Sequence, residues 1–142
     1  MSEIDNKKLV SEAIKARKKS YAPYSHYKVG AALLSSDDEI IHGCNIENAT
    51  FTPTICAERT AFFKAISEGI MDFEKIAIVG GLESESDCFT NYAYPCGVCR
   101  QVMREFCSDD FGIIVGKSVE EFEEYTLKDI LPMSFGPENL LK

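Results

Sequence analysis

The stretch "KIAIVGG" at residues 75–81 says most about the fold of this chain. It is short, almost continuously apolar and closed by two glycines, which is typical of a strand buried on both faces of a sheet. A second stretch of the same kind, "FGIIVG", follows at residues 111–116. The segment between them, residues 95–107, has the periodicity of a helix. Strands that alternate with helices in this way predict parallel pairing through a crossover helix.

The flanking regions supply the rest of a sheet and two more helices. "KVGAALLSS" at residues 28–36 and "EIIHGCNIEN" at residues 39–48 predict a hairpin that turns at Ser-Asp-Asp, residues 36–38. "EEFEEYT" at residues 120–126 is interpreted as a fifth strand, and helices are expected over residues 5–20 and from about residue 56 to Gly69. The prediction is an α/β fold: a three-layer α/β/α sandwich with a five-stranded mixed, mostly parallel sheet, in a single domain over residues 1–142.

The composition limits the classes of function. The chain has 142 residues, of which 45% are hydrophobic and 27% charged, an ordinary globular balance. A net charge of −8 argues against a protein that grips phosphate backbones or anionic membranes. No apolar run reaches membrane-spanning length, and the start "MSEIDNKK" has no signal-peptide core, so a cytoplasmic location is expected. Six cysteines in that compartment indicate metal binding or catalysis before disulfides.

The helix that begins near residue 56 carries two charged residues on its apolar face. With successive residues 100° apart, Ala61, Phe62 and Ala65 share one arc, which should face the core. Glu58 and Arg59 lie within that same arc. A carboxylate directed at a core needs a partner, a proton or a chemical role.

Three cysteines occupy the starts of two helices. Cys56 lies at the head of one, Cys96 lies just before the helix of residues 95–107, and Cys99 faces inward in its first turn. Helix N-termini lower the pKa of a thiol and favour the thiolate. If the two helices pack side by side, three thiolates converge, which is the ligand set of a catalytic zinc with an open fourth position. Glu58 would then face that position and exchange protons with water.

Other interpretations of the cysteine pair are available. A lone Cys-x-x-Cys also occurs in zinc ribbons, in thioredoxin-like redox pairs and by chance. A ribbon needs a second close pair, which the chain does not offer, and a redox pair does not explain an inward Glu58. The remaining cysteines are interpreted as core or loop residues and both histidines as non-ligands: Cys44, Cys88, Cys107, His26 and His42.

The charge of such a site predicts a cationic neighbour. Three thiolates around Zn²⁺ leave a net charge of about −1, which weakens the metal as a Lewis acid. Arg59 lies one helical turn from Cys56, and our hypothesis is that it donates hydrogen bonds to the thiolate sulfurs. The competing interpretation is an arginine whose head reaches past the core to solvent.

Taken together, these residues match a known family. Cys-x-Glu followed by Pro-Cys-x-x-Cys is a zinc-deaminase signature, and the chain resembles the small, homotetrameric cytidine deaminases over nearly its whole length. The stretches that carry the resemblance are "YAPYSHYKVGAALL", "GCNIENATF", "CAERTAFFKAISEG", "PCGVCRQV" and "ILPMSF".

The resemblance implies an activity and a role for each matching residue. The activity is hydrolytic deamination of cytidine and 2′-deoxycytidine, with one Zn²⁺ per subunit, no nucleic-acid or membrane partner, and sites at the subunit interfaces of a homotetramer. The implied roles are zinc binding by Cys56, Cys96 and Cys99; proton transfer by Glu58; sugar binding by Asn45 and Glu47; and base contacts from Tyr27, the backbone of Ala57, groups near Pro95, and Phe135 of a neighbouring subunit.

Some positions depart from the family pattern, and other functions stay open. Phe51 stands where the family often has tyrosine, and "TNYAY" at residues 90–94 replaces small and polar residues. Both departures bear on fine substrate preference. The alternatives are a deaminase of another aminopyrimidine nucleoside such as a blasticidin-type antibiotic, a polynucleotide-editing deaminase, and a structural zinc module with four protein ligands.

Overall fold

The computed structural model describes residues 4–141. Its helices are α1 (Asn6–Arg17), α2 (Ala57–Ser67), α3 (Gly97–Phe106) and α4 (Leu127–Ile130), and a 3-10 turn covers Pro137–Asn139. Its strands are β1 (Tyr27–Ser35), β2 (Ile40–Cys44), β3 (Phe73–Leu82), β4 (Gly112–Ser118) and β5 (Glu121–Thr126). Within this part of the chain, every helix falls short of the length and apolarity that crossing a membrane requires.

The five strands form one mixed sheet in the order β2-β1-β3-β4-β5. β3 and β4 pair in parallel through the α3 crossover, whereas the β1/β2, β1/β3 and β4/β5 pairs are antiparallel. The five-stranded mixed sheet is confirmed, but the expectation of mostly parallel pairing is wrong. After the hairpin, α2 carries the chain from β2 across β1, so β3 runs parallel to β2 but antiparallel to its neighbour β1. A tight turn then makes β4 and β5 a second hairpin.

Helices cover both faces of the sheet. On one face, Leu9, Val10 and Ala13 of α1 pack against Ala32, Leu34, Ala77, Val79 and Ile114. On the other face, Ala61 and Phe62 of α2 and Met103 of α3 pack against Leu33, Ile76, Ile78, Ile113 and Val115. Successive strand residues alternate between the two clusters, as the pleat requires. The predicted three-layer sandwich is confirmed.

The boundaries of the predicted elements hold within a few residues. Helix α2 ends as expected: Gly69 has a positive φ of 86°, and the amide of Ile70 donates to the carbonyl of Ala65, a Schellman arrangement. Helix α1 stops at Arg17 instead of residue 20. Strand β2 stops at Cys44 instead of residue 48, since Ile46 makes only isolated bridges with Tyr21 and Ile55.

A glycine brings the head of α2 directly onto the sheet. A Cβ atom at Gly43 of β2 would lie 2.3 Å from the carbonyl oxygen of Ala57 and 2.7 Å from the amide of Ala61. No side chain fits in that space, so β2 and the first turn of α2 are in backbone contact. This approach fixes the position of Cys56, the residue immediately before α2.

Candidate active site

The N-termini of α2 and α3 bring three cysteines together. Cys56 is the N-cap of α2, and Cys96 is the N-cap of α3, where its sulfur accepts from the amide of Cys99. The Sγ atoms of Cys56 and Cys96 lie 3.9 Å apart, and those of Cys96 and Cys99 lie 3.5 Å apart. Over residues 4–141 this is the one group of three or more potential metal ligands whose donor atoms all lie within 4.8 Å of one another. The predicted convergence is confirmed.

This donor set fits Zn²⁺. A tetrahedral zinc with Zn–S bonds of about 2.3 Å requires sulfurs about 3.8 Å apart, which matches the observed spacing. A hydrogen bond with Cys99, aided by Arg59, lowers the pKa of Cys56 to about 5 against the opposing effect of burial. The same hydrogen bond, followed by burial, raises the pKa of Cys99. Ionisation of Cys56 is therefore favoured and ionisation of Cys99 is opposed, and a divalent cation bound by the sulfurs removes that opposition.

Glu58 lies beside this cluster in the first turn of α2. Its side chain is buried, with 5% of the residue exposed, and it lines the cavity that opens at Cys56 and Cys96. Burial, with a contribution from the charge of Cys56, raises the pKa of Glu58 to about 7, although hydrogen bonds to the backbone and to Cys99 oppose the shift. A carboxyl group with such a pKa both accepts and releases a proton near neutral pH.

The cavity above the cluster has a volume of about 480 Å³. Besides Glu58 and two of the cysteines, it is lined by three residues that the sequence analysis predicted to contact the substrate: Tyr27, Asn45 and Ala57. The amide nitrogen of Asn45 donates to the carbonyl of Tyr27 at 2.9 Å, and its oxygen accepts from the amide of Val29 at 2.9 Å. These bonds hold Asn45 rigidly and leave it one N–H for a ligand.

The other two residues predicted to contact the substrate, Glu47 and Phe135, are not among the described residues that line this cavity. The carboxylate of Glu47 accepts from the amides of Tyr24 at 3.0 Å and Ser25 at 3.1 Å, and it lines an adjoining cavity. Thr54 belongs to both cavities. Phe135 is 60% exposed, and its carbonyl accepts from Gln101 of α3 at 2.8 Å.

Arg59 contacts the cluster directly. Its Nη2 donates to the Sγ of Cys56 at 3.4 Å. Its Nε is buried and has no hydrogen-bond partner within residues 4–141. Arg100, the other cation near the cysteines in sequence, instead donates to the carbonyls of Pro95 and Ile130, each at 2.8 Å. Arg59 is thus the arginine that faces a thiolate.

The histidines are engaged elsewhere. His26 pairs with Glu83 through its Nδ1 at 2.8 Å, and His42 pairs with Glu12 through its Nε2 at 2.7 Å. Neither belongs to the cysteine cluster. Their interpretation as non-ligands stays a prediction.

The sequence did not predict that residues 92–94 form one wall of the cavity. Tyr92, Ala93 and Tyr94 line the cavity immediately before Cys96. Their departure from the family pattern was visible in the sequence, but nothing in the local pattern showed which way these side chains point. Their position depends on contacts with β4 and β5, which are distant in sequence.

The fold and the site together define a class of protein. A three-cysteine cluster at two helix N-termini, with a buried glutamate two residues after the first ligand, is the arrangement of the zinc-dependent deaminases. Residues 3–115 match the family model described as the cytidine and deoxycytidylate deaminase zinc-binding region.

Similar proteins cover nearly the whole chain. The cytidine deaminases of Sporosarcina psychrophila and Halalkalibacterium halodurans are each 44% identical over 137 residues, with 96% of this chain covered and 96% and 98% of theirs. A crystal structure of the cytidine deaminase from Burkholderia pseudomallei superposes with a TM-score of 0.83 at 38% identity, covering 92% of this chain and 99% of that one. The blasticidin-S deaminase of Bacillus cereus is more distant, at 32% identity over 118 residues and 81% of each chain.

This chain belongs to the cytidine and deoxycytidylate deaminase family. It is a zinc-dependent hydrolytic deaminase, and Cys56, Cys96 and Cys99 form a cluster that could hold the metal ion.

Proposed function

We propose that this protein deaminates cytidine and 2′-deoxycytidine to uridine and 2′-deoxyuridine with release of ammonia, a reaction of pyrimidine salvage. The observation that carries the proposal is the buried carboxyl group of Glu58, which lines a nucleoside-sized cavity next to three clustered cysteines. The curated relatives named cytidine deaminase support the choice of substrate.

The metal site is assigned to Cys56, Cys96 and Cys99, with one Zn²⁺ per subunit. When bound there, Zn²⁺ supplies Lewis acidity and an open coordination position, which bring the pKa of water close to neutral. Arg59 offsets part of the negative charge of the thiolates through its contact with Cys56.

Glu58 is assigned as the catalytic residue. Its carboxylate accepts one proton from the water that attacks C4 of the cytosine ring and passes it to N3. It then accepts the second proton of that water from the new hydroxyl group on C4 and passes it to the departing amine. The water supplies the new oxygen, and nitrogen leaves as ammonia. A pKa raised to about 7 matches this two-way transfer.

The nucleoside is assigned to the cavity lined by Tyr27, Asn45 and Ala57. Ala57 is the first residue of α2, and the amides of a first helical turn have no partner within the helix, so its N–H is free to contact the base. The remaining N–H of Asn45 suits a sugar hydroxyl. Glu47 would reach the sugar from the adjoining cavity, and Thr54 connects the two spaces.

We also propose that the chain, as a single domain over residues 1–142, forms a homotetramer in the cytoplasm. The exposed ring of Phe135 supports the assembly, since it would complete the site of a neighbouring subunit. Six free thiols support a reducing compartment.

The test replaces Glu58 by glutamine. Glu58→Gln should retain one zinc per chain in metal analysis and lose at least about 10³-fold in turnover of cytidine, measured by the absorbance change to uridine, because the amide neither accepts nor returns a proton. Undiminished turnover in this variant would contradict the mechanism.

Activity and binding assays on the wild-type protein distinguish the candidate substrates. Efficient turnover of blasticidin S with none of cytidine would instead support the antibiotic deaminase, and retention of single-stranded RNA at physiological salt would support polynucleotide editing.

A further inference from the structure

One wall of the active-site cavity is made by side chains that no helix or strand supports. Residues 92–95 lie outside the regular elements and lead directly into Cys96, the N-cap of α3. Tyr92, Ala93 and Tyr94 line the cavity. Because this segment lacks the hydrogen-bond ladder of a strand, its position depends on what its side chains contact.

Those contacts come from β5 and the end of β4. The carboxylate oxygen Oε1 of Glu123 accepts from the hydroxyl of Tyr94 at 2.8 Å and from that of Tyr125 at 2.7 Å. The Tyr94 ring packs edge-on against Tyr125, with centroids 6.3 Å apart, and lies 6.0 Å from the Tyr92 ring. The ammonium group of Lys117 lies 4.6 Å above the Tyr92 ring. One carboxylate therefore joins the cavity wall to the edge strand.

The position and charge of Glu123 make it a good hydrogen-bond acceptor for the cavity wall. Its side chain shares a face of β5 with Tyr125, which packs on the cluster beneath α2 and α3, whereas Phe122 packs on the cluster beneath α1. The hydroxyls of Tyr125 and Tyr94 lower the pKa of Glu123. The acceptor is thus charged at neutral pH, and hydrogen bonds to a charged acceptor are the stronger kind.

We propose that Glu123 is a positioning residue which, through the hydroxyl of Tyr94, fixes the wall of residues 92–94 and thereby restricts the substrate to nucleosides with an unsubstituted exocyclic amine. The inference rests on the proposed function, since it concerns the amine that the reaction removes. The reacting carbon must lie at the cysteine cluster, and this wall adjoins Cys96. A group attached to the amine would therefore meet the tyrosine wall.

The expected size of the effect follows from the contacts. A rigid pocket discriminates against one additional methyl group by about 10- to 200-fold. Releasing the wall should relax that discrimination and weaken binding of every nucleoside, because the cavity loses a fixed surface. Chemistry at Glu58 is untouched, so the loss should fall on KM more than on kcat.

The experiment compares Glu123→Ala with Glu123→Gln and Glu124→Ala. Glutamine keeps an oxygen acceptor for Tyr94. Glu124 is the next residue of β5, and its carboxylate accepts a hydrogen bond from Asn6 on the α1 side of the sheet. Glu124→Ala therefore removes the same charge as Glu123→Ala but leaves the hydrogen bonds of the tyrosines intact. The readouts are kcat and KM for cytidine and N4-methylcytidine, uridine affinity by calorimetry, and the thermal midpoint.

We expect Glu123→Ala to raise KM for cytidine and Kd for uridine by about 3- to 10-fold. It should also reduce the preference for cytidine over N4-methylcytidine about 10-fold. Glu123→Gln should recover most of both properties, and Glu124→Ala should match the wild type. Tyr94→Phe should reproduce the changes in KM and preference seen in Glu123→Ala, and the double variant should change them no further, since both substitutions remove the hydrogen bond that holds the wall.

The inference would be overturned if the effects of the Tyr94 and Glu123 substitutions on KM and preference were additive. It would also be overturned if Glu123→Ala had the KM and the substrate preference of the wild type or of Glu124→Ala. A wild-type protein that binds uridine but turns over neither nucleoside would contradict the proposed function. In that case the uridine affinity still decides the inference, because an unchanged Kd in Glu123→Ala rules out positioning by this residue.

Discussion

Arg59 places a positive charge against the cysteine cluster. Its Nη2 donates to the Sγ of Cys56 at 3.4 Å, and its Nε is buried without a partner within residues 4–141. Contact with Cys56 raises the pKa of Arg59, against the opposing effect of burial. An arginine held in this way withdraws negative charge from a sulfur ligand and fixes the direction of its lone pairs.

We predict that Arg59→Gln binds zinc about 10- to 100-fold more weakly, because the thiolate loses its charged hydrogen-bond donor. Competition with a chromogenic chelator measures the change without requiring turnover. The matched control is Lys64→Gln, which removes a cation from the exposed side of the same helix. Equal zinc affinities in the two variants would show that Arg59 has no such role.

At the scale of elements, the layers are joined by a polar cluster as well as by the apolar core. Glu12 of α1 accepts from His42 of β2 at 2.7 Å and pairs with Lys8 at 3.2 Å and Lys15 at 3.1 Å. Burial raises the pKa of Glu12, but these partners outweigh it and lower the pKa from 4.5 to about 2. The carboxylate therefore stabilises the folded state when it is ionised.

This cluster predicts a pH-dependent stability difference. Because the folded-state pKa is depressed, the contribution of Glu12 is complete above about pH 4.5 and disappears as the pH falls toward about 2. Glu12→Gln should lower the free energy of unfolding by about 1–2 kcal/mol at pH 7 and converge on the wild type at low pH. Urea denaturation at pH values from about 2 to 7 measures the difference in the free energy of unfolding between Glu12→Gln and the wild type.

The control for this prediction is Glu105→Gln, which alters an exposed side chain on α3. It should follow the wild-type stability curve at every pH. A difference between Glu12→Gln and the wild type that is constant with pH would exclude the ionised carboxylate as its source.

At the scale of the molecule, the C-terminal segment is fastened to α3 and is not among the described residues that line the cavity. The Nε of Arg104 on α3 donates to the hydroxyl of Ser134 at 2.8 Å, and the guanidinium group forms an ion pair with Glu138. The side-chain amide of Gln101 donates to the carbonyl of Phe135. The ring of Phe135 and the side chain of Met133 remain exposed. A segment fixed at its backbone with apolar side chains outward suits a contact with a second copy.

We predict that Glu58→Gln and Phe135→Ala complement each other. Each alone should have poor activity with cytidine. Co-expressed in equal amounts and randomly assembled, they should recover about a quarter of the wild-type sites, because some sites combine an intact Glu58 with an intact Phe135 of the partner. Size-exclusion chromatography with light scattering should give about four times the 15.8 kDa of one chain. An absence of recovery in a mixed oligomer would indicate that Phe135 does not act on a neighbouring site.

The sequence was sufficient wherever a short-range pattern decides the outcome. The face that Glu58 and Cys99 occupy follows from helical periodicity, and the buried strands follow from continuous apolar runs. The hairpin of β1 and β2 follows from its turn residues. Even the three clustered cysteines can be found in the sequence, since each lies at a helix N-terminus that the neighbouring residues predict.

Only the tertiary structure decided which distant segments meet. The mostly antiparallel pairing of the sheet depends on which strand each connection passes, and local propensity does not encode that. Glu47 proved to be tied to Tyr24 and Ser25 in an adjoining cavity. The wall of Tyr94 is held by Glu123, 29 residues further along the chain. The sequence by itself determined which reactive residues this protein carries, because their motifs are defined by short spacings along the chain. Only the tertiary structure decided the shape of the cavity around them, because its walls are formed by residues that are far apart in the sequence.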